Sequence, residues 1–166
     1  MTTIEPLSPE QFGVVAGWMA NADINRWLTS EWRGRPADSA MLAIAVRNKK
    51  NRIFLVRQSG TPVGLVGLAD LDTQDKCAMV WYLLGDHTLG GKGVITDAVG
   101  QLCRLGFNDM GLRNIYAWIM EPNQKSRRVL EKNGFKESGR LRRAADMDGS
   151  GVDRVYFDLT PEDARG

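Results

Sequence analysis

Three strand-like segments stand close together in the middle of the chain, and the gaps between them are too short for anything but reversals. They are Arg52–Gln58, Val63–Leu71 and Cys77–Leu84, separated by the turn residues Ser59–Pro62 and the polar stretch Asp72–Lys76. A parallel neighbour would need a crossover of about a dozen residues or more, so these three make an antiparallel meander. The period then changes from two to 3.6. Val94, Ile95, Ala98, Val99, Leu102, Cys103 and Phe107 fall on one face of a helix, and Asn114–Met120 reads as another strand. A helix between two strands is a crossover, so Asn114–Met120 is expected parallel to Cys77–Leu84 in a right-handed βαβ unit.

The ends of the chain add to the same sheet. Ile4–Leu7 reads as a short strand, and Ser8 stands as helix cap before Pro9, with the helix running to about Ala20. A polar segment with Trp27 and Trp32 follows from Asn21 to Pro36. Asp38 then caps a helix in which Met41, Leu42, Ala45 and Val46 recur at helical spacing. Glu121-Pro122-Asn123 opens a short helix that ends at Asn133-Gly134, where glycine suits a left-handed cap. Two last strands, Phe135–Ala145 and Val152–Leu159, flank the turn Asp148–Gly151. The expected class is α+β in one domain spanning 1–166. Its sheet is mixed but mostly antiparallel, with about seven strands and about four helices.

Composition excludes several kinds of function. A net charge of +2 on 166 residues gives no broad basic field for nucleic acid. No apolar run approaches the ~20 residues of a spanning helix, so no membrane partner is expected. The start Met1-Thr-Thr-Ile-Glu5 has neither a basic leader nor an apolar stretch, and the expected location is the cytoplasm. With Cys77, Cys103 and one histidine, His87, neither a disulfide framework nor a metal site is expected. Oligomeric state is not written in the sequence. The basic groups at Arg47–Arg52 and Arg140–Arg143 read as solvated faces or edge-strand protection.

Leu89-Gly-Gly-Lys-Gly-Val-Ile95 joins a strand directly to a helix N-terminus. Such a junction offers unpaired backbone N–H groups and the positive end of the helix dipole. Glycines allow close approach of a phosphate, and Lys92 adds a cation. A mononucleotide P-loop fails here, because Asp86 stands where its first glycine belongs and Gly93 where its hydroxyl belongs. That disfavours a phosphotransferase. A dinucleotide fingerprint fails too, with Thr96 at the third glycine and a meander in front of it.

Two separate motifs resemble the GCN5-related N-acetyltransferase superfamily, in particular its ribosomal-protein N-terminal acetyltransferase branch. Gly91-Lys92-Gly93 matches the phosphate turn, with Gly90 replacing the usual Arg or Gln and Ile95 the final small residue. Asn123-Gln-Lys-Ser126-Arg-Arg-Val-Leu130-Glu-Lys-Asn-Gly134-Phe135 follows that branch's Asn-x-x-Ser-x-x-Val-Leu-Glu-Lys-x-Gly-Phe. The resemblance implies a sheet splayed between the fourth and fifth strands. It also implies transfer of an acetyl or other short acyl group from acyl-CoA to a primary amine, of a small molecule or a peptide N-terminus. Cofactor contacts would come from Tyr82, Leu83 and Leu84 through their backbone, from Gly90, Gly91, Lys92, Gly93, Val94 and Ile95, and from Asn123, Ser126 and Arg127. Lys125, Arg127 or Arg128 would meet the 3′-phosphate.

Acyl transfer to an amine needs an oxyanion donor, a base for the ammonium and an acid for the thiolate. Many relatives carry a Glu and a Tyr where this chain has Met79 and Leu130. Ser126 is the remaining candidate acid, and helix capping is its alternative role. Asp70, Asp72, Asp86, His87 and Glu121 stand near strand ends as candidate bases. Trp27, Trp32 and Arg33 fall in the segment that covers the acceptor in the family, and packing is the competing fate of the tryptophans. The absence of the usual Glu and Tyr leaves a non-catalytic acyl-CoA sensor or scaffold as the rival reading.

Overall fold

The structure, a computed structural model, describes residues 1–35 and 37–164. Pro36, the end of the tryptophan-bearing segment, lies outside the described residues, as do the last two residues of the expected domain. The meander forms as its short connections require. Strands β1 (Thr2–Pro6), β2 (Arg52–Gln58), β3 (Thr61–Asp72) and β4 (Cys77–Leu84) pair antiparallel in that order. The expected four-residue turn before β3 shrinks to Ser59-Gly60, both with positive φ (49° and 85°), the geometry that suits a two-residue hairpin. Pro62 then sits in the strand, beside a register shift at Val56/Arg57 that tolerates the missing N–H.

Helices α1 (Phe12–Ala20), α2 (Ala22–Asn25) and α3 (Ser39–Arg47) lie between β1 and β2. Ser8 does not cap as expected. A 3₁₀ turn at Pro9–Gln11 precedes α1, and the Ser8 hydroxyl donates to the Gln11 side chain instead of receiving a backbone N–H. Asp38 does cap α3, accepting from Met41 N at 2.8 Å. Of the four apolar residues expected on the packed face of α3, only Leu42 is fully buried, and Val46 is exposed. Nearly every residue of Ser39–Arg47 is apolar, so spacing alone does not define a face there.

After β4 come α4 (Val94–Asn108), β5 (Asn114–Met120) and α5 (Gln124–Lys132). Next are β6 (Lys136–Met147), β7 (Ser150–Leu159) and the single turn α6 (Pro161–Ala164). The sheet order is β1-β2-β3-β4-β5-β7-β6, parallel only between β4 and β5. Among the described residues there are six α-helices, and the four of nine residues or more are those the sequence predicts. The last hairpin turns at Asp148-Gly149 alone, both with positive φ, so Ser150 and Gly151 belong to β7. Strand β6 is an edge, exposed along Lys136–Arg143, and Arg140, Arg142 and Arg143 protect it as charged edge residues do.

The sheet has two covered regions. On one face α4 buries Val94, Ile95, Ala98, Val99, Leu102 and Cys103 against Val66, Leu68, Val80, Ile115, Ala117, Val155 and Phe157. Each fully buried Leu or Ile there contributes about 1.5–3 kcal/mol of transfer free energy. On the other face α1–α3 cover β2, β3 and β4 through Val15, Met19, Leu42, Leu55, Leu65 and Leu83. Trp81 lies on this second face over Gly67, where a Cβ would come within 2.6 Å of the indole. No helix among the described residues is long and apolar enough to cross a membrane.

Candidate active site at the splayed strands

Strands β4 and β5 pair over three rungs, Cys77–Asn114, Ala78–Ile115 and Met79–Tyr116, and then separate. Beyond Met79, β4 continues with β3 as far as Leu84–Gly64, while β5 continues with β7 as far as Met120–Arg154. The inner edges of Val80–Leu84 and Ala117–Met120 therefore face each other without a ladder, and the gap opens toward the ends of both strands. Tyr82, Leu83 and Leu84 lie on this free edge, as expected. The helices that follow the two strands, α4 and α5, both begin at the open end.

The turn between β4 and α4 is held by its own bonds. Asp86 accepts from Thr88 N (3.0 Å) and from the Thr88 hydroxyl, and these bonds hold its carboxyl below the usual carboxylate range. Gly90 N donates to His87 O, and Lys92 N to Leu89 O. The N–H groups of Gly91 and Gly93 make no bond among the described residues, and those of Val94 and Ile95 open α4, where no helical carbonyl precedes them. Gly91 (φ 78°) and Gly93 (φ 82°) both require the left-handed region. A Cβ at either would meet nothing within 4 Å, so glycine serves the backbone angle and leaves open space above the amides. The side chains of Val94 and Ile95 are in the core, which leaves only their N–H groups for a ligand.

Across the gap, Asn123 caps α5 by accepting from Ser126 N at 3.2 Å. Ser126 Oγ is 2.7 Å from the Tyr82 hydroxyl, which also donates to Ser126 O at 3.1 Å. A carbonyl only accepts, so both contacts are satisfied when Ser126 Oγ–H donates to the phenol oxygen and the phenol O–H donates to the carbonyl. Burial pushes the Tyr82 phenol well above the ordinary tyrosine range, partly offset by the Ser126 bond. This hydroxyl was missed in the sequence, where Tyr82 counted only for its backbone. The signal was present: Ala78, Val80 and Tyr82 alternate onto the buried face, and a phenol there needs a partner.

Other candidates are dispersed. Leu130 is fully buried in the core, and Met79 occupies the last paired rung. Arg127 is held by Glu137 (3.0 Å) and Glu131 (3.6 Å) over the Phe157 ring, whereas Lys92, Lys125 and Arg128 are exposed. Among the candidate bases, Asp72 accepts from Gln74 and Asp75 N, Asp86 braces its turn, Glu121 pairs with Arg140, and His87 is exposed. Asp70 sits at positive φ in the irregular end of β3, and its charge helps burial raise the Tyr116 phenol at the base of the gap.

The segment after α2 packs on the second cluster through Leu28 and Trp32. Asn25 fastens it, donating to Met19 O and Trp32 O and accepting from Gly34 N. Trp32 packs against the cluster that holds Leu83, and Arg26 stacks over Trp27 at 5.0 Å. Arg26 also pairs with Asp148 at the tip of the β6–β7 hairpin (2.8 Å), a bridge the sequence could not show.

A sheet parted between two parallel strands, with a glycine turn and two helix starts at its mouth, defines a class of protein. The acetyltransferase (GNAT) domain model matches residues 2–136, and the chain belongs to that family. The protein named "Putative ribosomal N-acetyltransferase YdaF" of Bacillus subtilis (strain 168) is 31% identical over 107 residues. That alignment takes in 64% of this chain and 58% of YdaF, so the chain spans little more than half of that relative. Two solved structures share the fold. Spermidine N-acetyltransferase from Vibrio cholerae, in complex with CoA and spermine, has a TM-score of 0.87 at 19% identity, covering 99% of this chain and 98% of its own. Mycobacterium smegmatis RimJ, in complex with CoA-disulfide, has a TM-score of 0.83 at 21% identity, covering 99% and 84%.

Proposed function

We propose that this protein transfers an acetyl or other short acyl group from acyl-CoA to a primary amine, of a small molecule or a peptide N-terminus. The observation that carries it is the parted β4/β5 edge with the unpaired amides of Gly91, Gly93, Val94 and Ile95 at its mouth. The pyrophosphate would sit on those amides with Lys92 beside it. The pantetheine arm would bond the free edge of Tyr82–Leu84 and lie near Asn123 and Ser126. Lys125 and Arg128 serve the 3′-phosphate better than Arg127, whose charge is already paired.

In the reaction the amine nitrogen attacks the thioester carbonyl, the C–S bond breaks and the amide forms. The proton of the acceptor ammonium leaves through water to Asp70, which stands near Tyr116 at the base of the gap. Asp70 and His87 are the two candidate bases without a side-chain partner among the described residues, and His87 lies in the exposed turn instead. Ser126 gives its proton to the thiolate and recovers one from Tyr82, and the proton that the nitrogen sheds as the amide forms returns through water to the phenolate. Trp27, Trp32 and Arg33 border the acceptor. A thermal-shift titration tests the binding half. Acetyl-CoA at about a hundred times its Kd should raise Tm by roughly 5–10 °C, and dephospho-CoA by less. No shift at millimolar CoA overturns the proposal. A shift without thiol release on any amine leaves a CoA-binding sensor, the reading that Met79 and Leu130 would then favour.

A further inference from the structure

Among the described residues, three side-chain nitrogens are buried without a hydrogen-bond partner, and all three belong to arginines: Arg26 Nε, Arg33 Nη1 and Arg154 Nε. Arg33 and Arg154 also have no carboxylate within ion-pair distance among those residues, and only Arg26 is paired, to Asp148. The three residues are only partly buried, but each keeps a fixed fork of five donors, and in Arg33 and Arg154 no carboxylate among the described residues engages that fork, which suits a planar anion.

The three flank one region. Trp81 and Leu83 on β4, and Trp118 and Met120 on β5, point to the face of the sheet that α1–α3 cover only as far as β4. Arg154 on β7 is opposite Met120, and its guanidinium lies over the Trp118 ring at 4.1 Å. Stacking fixes the plane of that guanidinium and leaves its edge for a ligand. Arg26 and Arg33 belong to the segment that Asn25 fastens, whose Leu28 and Trp32 pack on the cluster of that same face. The Arg26–Asp148 bridge carries that segment across to the hairpin of which β7 is one arm. Arg154 thus borders the parted strands on this face, and the segment that carries Arg33 is tied to the same hairpin.

We propose that the acceptor is an amine bearing a carboxylate, which Arg154 and Arg33 hold while the amine nitrogen reaches the thioester. This rests on the acyl-transfer reading and narrows it: a polyamine such as the spermine bound by the Vibrio cholerae neighbour would meet like charge here.

The test is a ladder of amino carboxylates of increasing length, each assayed against the amide of the same skeleton, with spermidine as the polycation. Thiol release gives kcat/KM, and the same compounds are titrated into the CoA complex by thermal shift. Each carboxylate that fits should exceed its amide by about tenfold or more, the worth of a charge-assisted hydrogen bond. Arg154→Met and Arg33→Gln should each remove that advantage by raising the acceptor KM, with the CoA-induced shift retained, and Arg154→Lys should restore it only in part. If Arg154→Met does not fold, Arg33→Gln and the wild-type pairs decide. Equal use of amides and carboxylates, or preference for spermidine, overturns the inference and leaves acyl transfer standing. An arginine-dependent shift by carboxylates without turnover of any amine upholds the carboxylate site and removes the transferase reading.

Discussion

Removing the Tyr82 hydroxyl tests the two-residue proton path more directly than any other change. Tyr82→Phe deletes both contacts to Ser126, at 2.7 and 3.1 Å. With about 1 kcal/mol net per neutral hydrogen bond, the fold should lose about 1–2 kcal/mol. That is a fall in Tm of about 2–8 °C for a chain of this size. Ser126→Ala removes only the shorter contact and should cost about 1 kcal/mol, with Asn123 still capping the helix through the unchanged Ser126 backbone N–H. A double-mutant cycle should return a coupling of about 1 kcal/mol, because the two hydroxyls share one bond. The catalytic arm is read separately, at saturating acetyl-CoA and amine. If Ser126 protonates the thiolate and Tyr82 supplies it, each variant should lose about tenfold or more in kcat with the acetyl-CoA KM nearly unchanged. An acetyl thioester with a more acidic leaving thiol should shrink that deficit. Two variants with kcat within twofold of the parent would refute the relay, whatever their stability.

Two further outcomes follow from the geometry. Gly93→Val should abolish CoA binding, as measured by calorimetry, while costing only about 1–3 kcal/mol of stability, since the left-handed backbone is strained but no atom stands within 4 Å; normal CoA binding by a folded variant would misplace the phosphate turn. Burial raises both the Tyr82 phenol and the Cys103 thiol, the latter to about 12, so the fold favours their protonated forms. Their contribution is intact below pH ~8.5 and is lost as pH rises from there through the folded values, because the unfolded chain releases those protons first. Tyr82→Phe and Cys103→Ala should each flatten the decline of Tm between pH 9 and about 11, and unchanged curves would show that neither group is protonated more tightly in the fold.

Which parts of this were legible in the sequence depends on the range of the interaction concerned. The meander, the α4 stripe, the caps at Asp38 and Asn123 and the left-handed end at Gly134 are local, set by spacing, turn chemistry and backbone sterics within a few residues. The glycine turn was legible for the same reason: a strand running into a helix start exposes amides wherever it occurs. The order β5-β7-β6 was not, because the last hairpin could have added to the sheet in more than one place, and only packing of Val155 and Phe157 under α4 and α5 selects one. With that order come Arg154 over Trp118 and the Arg26–Asp148 bridge, between residues 36 and 122 positions apart. Tyr82 and Ser126, 44 positions apart, meet only because β4 and β5 separate beyond Met79. A sequence fixes what adjacent dihedral angles and one helical or strand face can decide. Contacts across the parted strands depend on how the two half-sheets are held, and that is decided by the whole core at once.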